Sequence, residues 1–128
     1  MQIMFTWVKG NAYTLILTLY PNNITLNSSA ASYFEDIRWA MVGIDRENCR
    51  LGIRPITKRE IDLKLVSREQ LHKVSLGKGY ARISNKSLID ELSELIQRPI
   101  DGLKINAEYD DTENILIADF HELCIESR

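Results

Sequence analysis

The order strand, capped helix, β-hairpin occurs twice along this chain, and no other feature restricts the possible folds as strongly. In the second occurrence Asn85 or Ser84 can cap a helix. The apolar side chains of that helix recur on one helical face: Leu88, Ile89, Leu92, Leu95 and Ile96. Two β-prone runs, 103–108 and 115–120, then flank the polar segment 110–114. The pattern predicts a helix at about residues 86–97 followed by a hairpin.

The first occurrence follows the same plan. Asn27 or Ser28 can cap a helix at about residues 28–37, in which the apolar positions are Ala30, Ala31, Phe34 and Ile37. The runs 39–44 and 49–53 then flank a polar turn at 45–48. A second strand–helix–hairpin unit is therefore predicted.

The two units align as an internal repeat comprising residues 22–56 and 79–120. The helices align at one constant offset that pairs Asn27 with Asn85. The hairpins align at a larger offset that pairs Asp45 with Asp111, which implies an eight-residue insertion in the second copy. We interpret this match as a duplicated supersecondary unit.

Length and composition favour a single domain over residues 1–128. The 128 residues, 45% of them hydrophobic, suffice for one core and not for two independent ones. We expect an α+β fold of mainly antiparallel strands, with the two short amphipathic helices packed on a common sheet or split barrel. The sequence thus predicts one domain built from two halves.

The remaining segments give weaker signals. Strands are predicted at 3–8 and 12–20, joined at Lys9-Gly10-Asn11, and at 74–76 and 80–83, around Gly77-Lys78-Gly79. The segment 57–73 reads as a partly ordered connector in which Thr57 can cap a short helix and 62–66 alternates like a strand. Residues 121–128 read as a continued strand or a fraying tail.

Cysteine content and hydropathy suggest a cytoplasmic protein. Cys49 and Cys124 are the only cysteines and have no close partner in sequence, so we expect reduced thiols instead of a disulfide framework. The apolar N-terminal stretch is interrupted at Lys9 and lacks a preceding basic region, so neither a signal peptide nor a membrane anchor is predicted.

No constellation of residues predicts an enzyme, a cofactor or a metal site. His121 and Cys124 are too few ligands for zinc. Asp110 and Asp111 lie where a hairpin turn is expected, and Gly77-Lys78-Gly79 lacks the other residues of a phosphate-binding loop. The serines occupy cap or turn positions. We therefore interpret the protein as non-enzymatic.

The charge distribution is the strongest functional signal. The net charge is only −2, but residues 54–86 contain nine Lys or Arg against three acids, and residues 87–128 contain three against eleven. Such a basic segment can track a phosphate backbone, or it can be a solvated face balanced by the acidic third. The candidate nucleic-acid-binding residues are Arg54, Lys58, Arg59, Lys78, Arg82 and Lys86.

The strand–helix–hairpin order resembles the swapped-hairpin fold of the AbrB, MazE and MraZ group, which are small bacterial DNA-binding proteins. The segment 79–86, Gly-Tyr-Ala-Arg-Ile-Ser-Asn-Lys, is similar to the start of that group's unit, although the group's proline is absent from both copies. The phrases Ile24-Thr25-Leu26-Asn27 and Gly52-Ile53-Arg54-Pro55 also resemble uncharacterised small proteins of Gram-positive bacteria and their mobile elements. The first resemblance implies an AbrB-like split barrel and duplex DNA as partner.

Two functions stay open at this point. One is a DNA-binding transcription regulator, and the other is a protein-interaction or structural module that binds no nucleic acid. Two copies in one chain can close their own barrel and give a monomer, whereas an open strand pair recruits a second chain. We expect a homodimer.

Overall fold

A computed structural model describes residues 3–8, 10 and 13–126 of the chain. In chain order its elements are β1 Leu15–Tyr20, β2 Asn23–Leu26, α1 Ser28–Ala31, β3 Trp39–Asp45, β4 Arg50–Ile56, α2 Lys58–Asp62, β5 Leu71–Gly77, β6 Tyr80–Ser84, α3 Lys86–Ile96, β7 Leu103–Asp110, β8 Ile115–Asp119 and α4 His121–Glu126. Short 3-10 turns occupy Ser32–Phe34 and Arg68–Gln70.

The strands form a closed eight-stranded barrel in the order β1-β2-β6-β5-β3-β4-β8-β7. Every neighbouring pair is antiparallel. The predicted α+β class with mainly antiparallel strands and short helices is therefore confirmed. The barrel closes within one chain, so among the described residues there is no open strand pair of the kind from which a dimer was expected, and the homodimer stays a prediction.

The barrel interior is filled by alternate residues of the strands, because successive side chains of a strand point to opposite faces. The fully buried members include Leu17, Leu19, Ile24, Leu26, Leu51, Ile53, Ile83 and Leu116. Phe34, from the turn after α1, and the apolar face of α3 join the same core. Within the described chain no polar or charged residue is buried, so apolar contacts dominate the interior.

The structure confirms the predicted helix starts and shortens the first helix. Asn27 Oδ1 accepts a hydrogen bond from Ala30 N at 3.1 Å, and Asn85 Oδ1 accepts one from Leu88 N at 3.1 Å. The helix expected at 28–37 ends at Ala31 and continues only as a 3-10 turn. The backbone then adopts a positive φ of 60° at Asp36, which a right-handed helix cannot accommodate.

Asn27 also ties the first helix to strand β1. Its Oδ1 accepts from Ile16 N at 3.1 Å, and its Nδ2 donates to Thr14 O at 2.8 Å. We expect Asn27→Ala to lower the free energy of unfolding by about 2 kcal/mol, because the cap is lost and a partly buried N–H loses its acceptor. Urea unfolding measures this, with Asn27→Asp as a control that keeps the acceptor oxygen. An unchanged midpoint for Asn27→Ala would contradict this role.

The two hairpins β3–β4 and β7–β8 have matching loops. Asp45 pairs with Arg50 across one four-residue loop, and Asp110 pairs with Ile115 across the other. The last loop residue has positive φ in both, 56° at Cys49 and 57° at Asn114. Asp45 is therefore equivalent to Asp110, and the sequence alignment of Asp45 with Asp111 is off by one residue.

The strand order is unchanged when the two halves of the chain are exchanged. Replacing β1, β2, β3 and β4 by β5, β6, β7 and β8, and the reverse, reproduces the same set of neighbours around the barrel. The β1–β2 and β5–β6 hairpins also have loops of equal length, since Tyr20 pairs with Asn23 and Gly77 with Tyr80.

Several local predictions were wrong. Residues 3–8 form no strand and are exposed, because β1 already has β2 and β7 as neighbours in the closed barrel. The strand-like run 62–66 is not a strand, and β5 begins earlier than expected, at Leu71. Residues 121–126 form a helix instead of a continued strand. The predicted turn at Lys9 and Asn11 lies outside the described residues, whereas the cap at Thr57 is confirmed by a capping box with Glu60.

The prediction of two reduced, unpaired cysteines was also wrong. Cys49 and Cys124 form a disulfide with a Cα–Cα distance of 6.5 Å, although 75 positions separate them in sequence. The turn at Phe120 brings them together, since Phe120 N donates to Cys49 O at 3.1 Å just before α4 begins. Among the described helices, none has the length and apolar character that crossing a bilayer requires.

Candidate nucleic-acid interface

The barrel exterior carries a surface on strands β5, β6, β2 and β1 that we call the basic surface, because its charged side chains are all cations; they come from β5, β6 and the turn between them, and β2 and β1 contribute uncharged side chains. We define it by its outward-facing side chains and the β5–β6 turn: Lys73, Ser75, Lys78, Tyr80, Arg82, Thr25, Thr18 and Tyr20. Their neighbours on the same strands, such as Val74, Ala81 and Ile83, are buried. The two segments that build this surface, 15–26 and 71–84, contain no Asp or Glu. Its positive charge is therefore not neutralised within its own strands.

Strand register places the polar members of the basic surface in one row. Ser75 lies opposite Arg82, Arg82 opposite Thr25, and Thr25 opposite Thr18. Lys104 of β7 extends the row because it lies opposite Thr18. In the part of the chain that the structure describes, no ion pair involves the cations of this row or Lys73 and Lys78. These cations are free to meet an external anion.

The six predicted candidate residues do not form a single face. Lys78 and Arg82 belong to the basic surface, whereas the other four lie elsewhere: Arg54 on β4, Lys58 and Arg59 on α2, and Lys86 at the start of α3. Register puts Arg54 and Arg82 three strands and four residues apart, or roughly 20 Å along the surface. The six residues were predicted because they lie in one basic segment of the sequence, but the barrel places them on different parts of its surface.

Two of the separated candidates already have carboxylate partners. Lys86 Nζ lies 2.9 Å from Asp90 Oδ2 one helical turn on, and Arg54 Nη2 lies 4.0 Å from Glu113 Oε2. Lys58 and Arg59 are exposed on a helix that buries no residue. These four side chains therefore lie on the solvated surface of the protein, outside the basic surface.

The opposite side of the barrel has a mixed and mainly acidic exterior. Glu108 and Asp119 lie beside the buried residues Ala107 and Ala118 on β7 and β8, and Asp110 ends β7. Arg50 Nη2 donates to Asp45 Oδ2 at 2.9 Å, as does Asn48 Nδ2. The side-chain hydrogen bond from Asn48, followed by that from Arg50, lowers the pKa of Asp45 to about 2. Unlike the cations of the basic surface, Arg50 is thus held by a carboxylate of its own hairpin.

Tyr80 and Arg82 are arranged together at the centre of the basic surface. The Tyr80 ring lies over Gly77 of the neighbouring strand β5. A Cβ atom at position 77 would overlap the ring. Arg82 Nη2 donates to the Tyr80 hydroxyl at 3.2 Å, and the guanidinium carbon lies 5.5 Å from the ring centroid. Glycine at position 77 therefore allows the ring to lie flat and to support the guanidinium group.

A shallow cleft lies beside Arg82, with a volume of about 350 Å³ and a lining of Tyr20, Asn23, Thr25, Tyr80 and Arg82. Thr25 Oγ1 donates to Asn23 Oδ1 at 3.0 Å, and Asn23 Nδ2 donates to Asn22 Oδ1 at 2.9 Å. The cleft therefore has polar groups on its floor and tyrosines at both ends.

Sequence reasoning missed Lys73 and Tyr20 as members of this surface. The alternation of polar and buried residues within β1 and β5 was the available signal, but it identifies an outward face only once the strand pairing is known. His72, on the inward side of β5, has Nε2 3.0 Å from Asn85 Nδ2 and so contacts a helix cap, not a nucleophile.

The arrangement can bind an anion and offers no obvious reactive group. In the described residues, no three His, Cys, Asp or Glu side chains come together as metal ligands. Cations with neighbouring serine and threonine hydroxyls are the kind of side chains that contact sugar-phosphate backbones. No protein-family model, curated protein or solved structure matches the chain.

Proposed function

We propose that this protein is a non-enzymatic nucleic-acid-binding regulator that contacts the phosphate backbone through its basic surface. The observation that carries the proposal is the segregation of charge: segment 71–84 places three cations on one side of the barrel, and neither it nor the adjoining segment 15–26 contains a carboxylate. Phosphate contacts by such cations release counterions and favour binding at low salt. Duplex DNA is the partner that the AbrB resemblance implies.

The same proposal includes an AbrB-like origin for the fold. Exchange of the two halves preserves the strand order, and the paired hairpins have loops of equal length. Both observations support duplication of one strand–helix–hairpin unit. The homodimer expected from the sequence is part of the proposal and is tested by light scattering at micromolar concentration.

Charge reversal tests the proposed interface. In fluorescence anisotropy with a labelled duplex of about 20 base pairs at about 50 mM salt, we expect Lys73→Glu/Arg82→Glu to weaken binding at least about tenfold, because two phosphate contacts become repulsive. The matched control is Arg54→Glu/Lys58→Glu, which changes the net charge equally on residues outside the basic surface. We expect the control to weaken binding only slightly. Equal losses in the two variants would contradict a localised interface.

A second candidate function is protein interaction, and one observation favours it. Residues 3–8 leave Ile3, Met4, Phe5, Trp7 and Val8 each at least 71% exposed. Contiguous exposed apolar side chains of this kind mark interaction sites. If neither duplex nor single-stranded nucleic acid binds at low salt, this alternative replaces the first.

A further inference from the structure

We infer that the cleft between Tyr20 and Tyr80 is a binding site for an unpaired nucleobase, so that the protein prefers single-stranded nucleic acid to duplex. This inference deepens the proposed function and rests on it. It adds the form of the ligand, which the cationic surface alone does not determine.

The Tyr20 ring is exposed at the edge of the cleft. Tyr20 is 38% exposed, and among the described residues its ring has no aromatic partner and its hydroxyl no hydrogen bond. It lies at the end of β1, opposite Asn23. An exposed aromatic ring beside cations is a platform on which a base can stack, and stacking accepts any base because each has a π face.

The space beside that ring is open and lies between two tyrosines. Asn23 lies opposite both Tyr20 and Ser84, and Ser84 is four residues from Tyr80. Two strand spacings and four residues put the Cα atoms of the two tyrosines roughly 16 Å apart. The cleft of about 350 Å³ lies between them. The two side chains therefore bound an open slot at the scale of a small planar ligand.

The cleft also offers hydrogen-bonding groups and a positive charge. Asn23 and Thr25 form the floor with an amide and a hydroxyl, both able to bond the edge of a base. Arg82 lies at the rim, held by the Tyr80 hydroxyl at 3.2 Å, where it can meet the phosphate of the same nucleotide. Aromatic face, polar floor and cationic rim together suit the face of a base, the edge of a base and the phosphate of the same nucleotide.

The position of the cleft on the barrel surface disfavours duplex nucleic acid as its ligand. In a duplex the base faces are stacked on one another, so a side chain on a convex barrel surface cannot reach them without unstacking. A single strand presents its bases unstacked and can place one in the slot while its phosphates follow Lys73 and Lys78. The shared chemistry is an unpaired base on a phosphate backbone, from either DNA or RNA.

The test compares labelled strands of about 12 nucleotides that are equal in charge and differ in their bases. One strand carries all bases, a second is abasic throughout, and a third is the base-bearing sequence made as RNA. We expect the base-bearing DNA or RNA strand to bind at least about tenfold tighter than the abasic one by anisotropy, because stacking contributes this much per base. If the DNA strand and the RNA strand of the same sequence differ in affinity, the tighter one shows whether the preferred ligand is DNA or RNA.

Variants locate the effect at the cleft. We expect Tyr20→Ala to weaken binding of the base-bearing strand about tenfold and to leave binding of the abasic strand unchanged. Tyr20→Phe keeps the aromatic ring, so we expect it to bind the base-bearing strand as tightly as the wild type does. Unchanged binding to the abasic strand also shows that the variant is folded. Equal affinity for abasic and base-bearing strands, or an unaffected Tyr20→Ala, would overturn the inference while leaving the basic surface intact. Absence of binding to every probe would overturn the proposed function as well.

Discussion

Replacing Phe34 with alanine is expected to lower the free energy of unfolding by about 4 kcal/mol. Phe34 is the largest of the fully buried side chains, with no exposed surface. It enters the core from the short turn after α1, where Ile37 N donates to its carbonyl at 2.9 Å. Because the surrounding side chains belong to a closed barrel, they cannot move inward far enough to fill the space that alanine would leave.

Tyr33 provides the matched control for this prediction. It is the preceding residue of the same turn, but it is 37% exposed and stacks on Tyr109 with ring centroids 3.8 Å apart. We expect Tyr33→Ala to cost only about 1 kcal/mol, the contribution of an aromatic pair at a half-exposed site. Urea unfolding followed by circular dichroism measures both variants. A Phe34→Ala variant as stable as Tyr33→Ala would show that the core is not organised around this side chain.

Loss of the Cys49–Cys124 disulfide is expected to have an effect of similar size. Closing a loop between residues 75 positions apart restricts the unfolded chain, and the chain-entropy estimate for this length is about 4 kcal/mol. Both cysteines are buried, so the bond also fixes α4 against the β3–β4 hairpin. We expect Cys49→Ala/Cys124→Ala to unfold at a clearly lower urea concentration than the oxidised wild type.

Two measurements separate the disulfide from the packing of the sulfur atoms. The intact mass of non-reduced protein should be lower by two hydrogens than that of reduced protein. Reductant should destabilise the wild type and leave the double alanine variant unchanged. A wild type whose unfolding curve is the same with and without reductant would contradict the role of the bond.

Local chemistry made the helix starts and hairpins predictable from sequence. Asn27 and Asn85 are strong N-cap residues, and the structure uses both in that way. The loops after Asp45 and Asp110 were also expected, but their alignment was off by one because several acidic and amide residues suit such turns equally well. The two helix starts and the two hairpin loops were thus correct to within about a residue.

Long-range pairings were not accessible from sequence. The strand-like run 3–8 has suitable residues but no free edge to join, since the barrel closes without it. The cysteine pairing depends on the turn at Phe120, which no spacing rule indicates. The candidate site shows the same limit in part, because Lys73, Lys78 and Arg82 share one hairpin, whereas the separation of the other four predicted residues from it depends on the strand order of the barrel.

The most direct test of the central claim is the salt dependence of nucleic-acid binding by the wild type and by Lys73→Glu/Arg82→Glu. If Lys73, Lys78 and Arg82 each neutralise a phosphate, the logarithm of the binding constant should fall with the logarithm of salt concentration with a slope of about −2.7 on duplex DNA or about −2.1 on a single strand. The charge-reversed variant should lose about two units of that slope. No binding at low salt, or identical slopes for wild type and variant, would contradict a basic surface that works on phosphates.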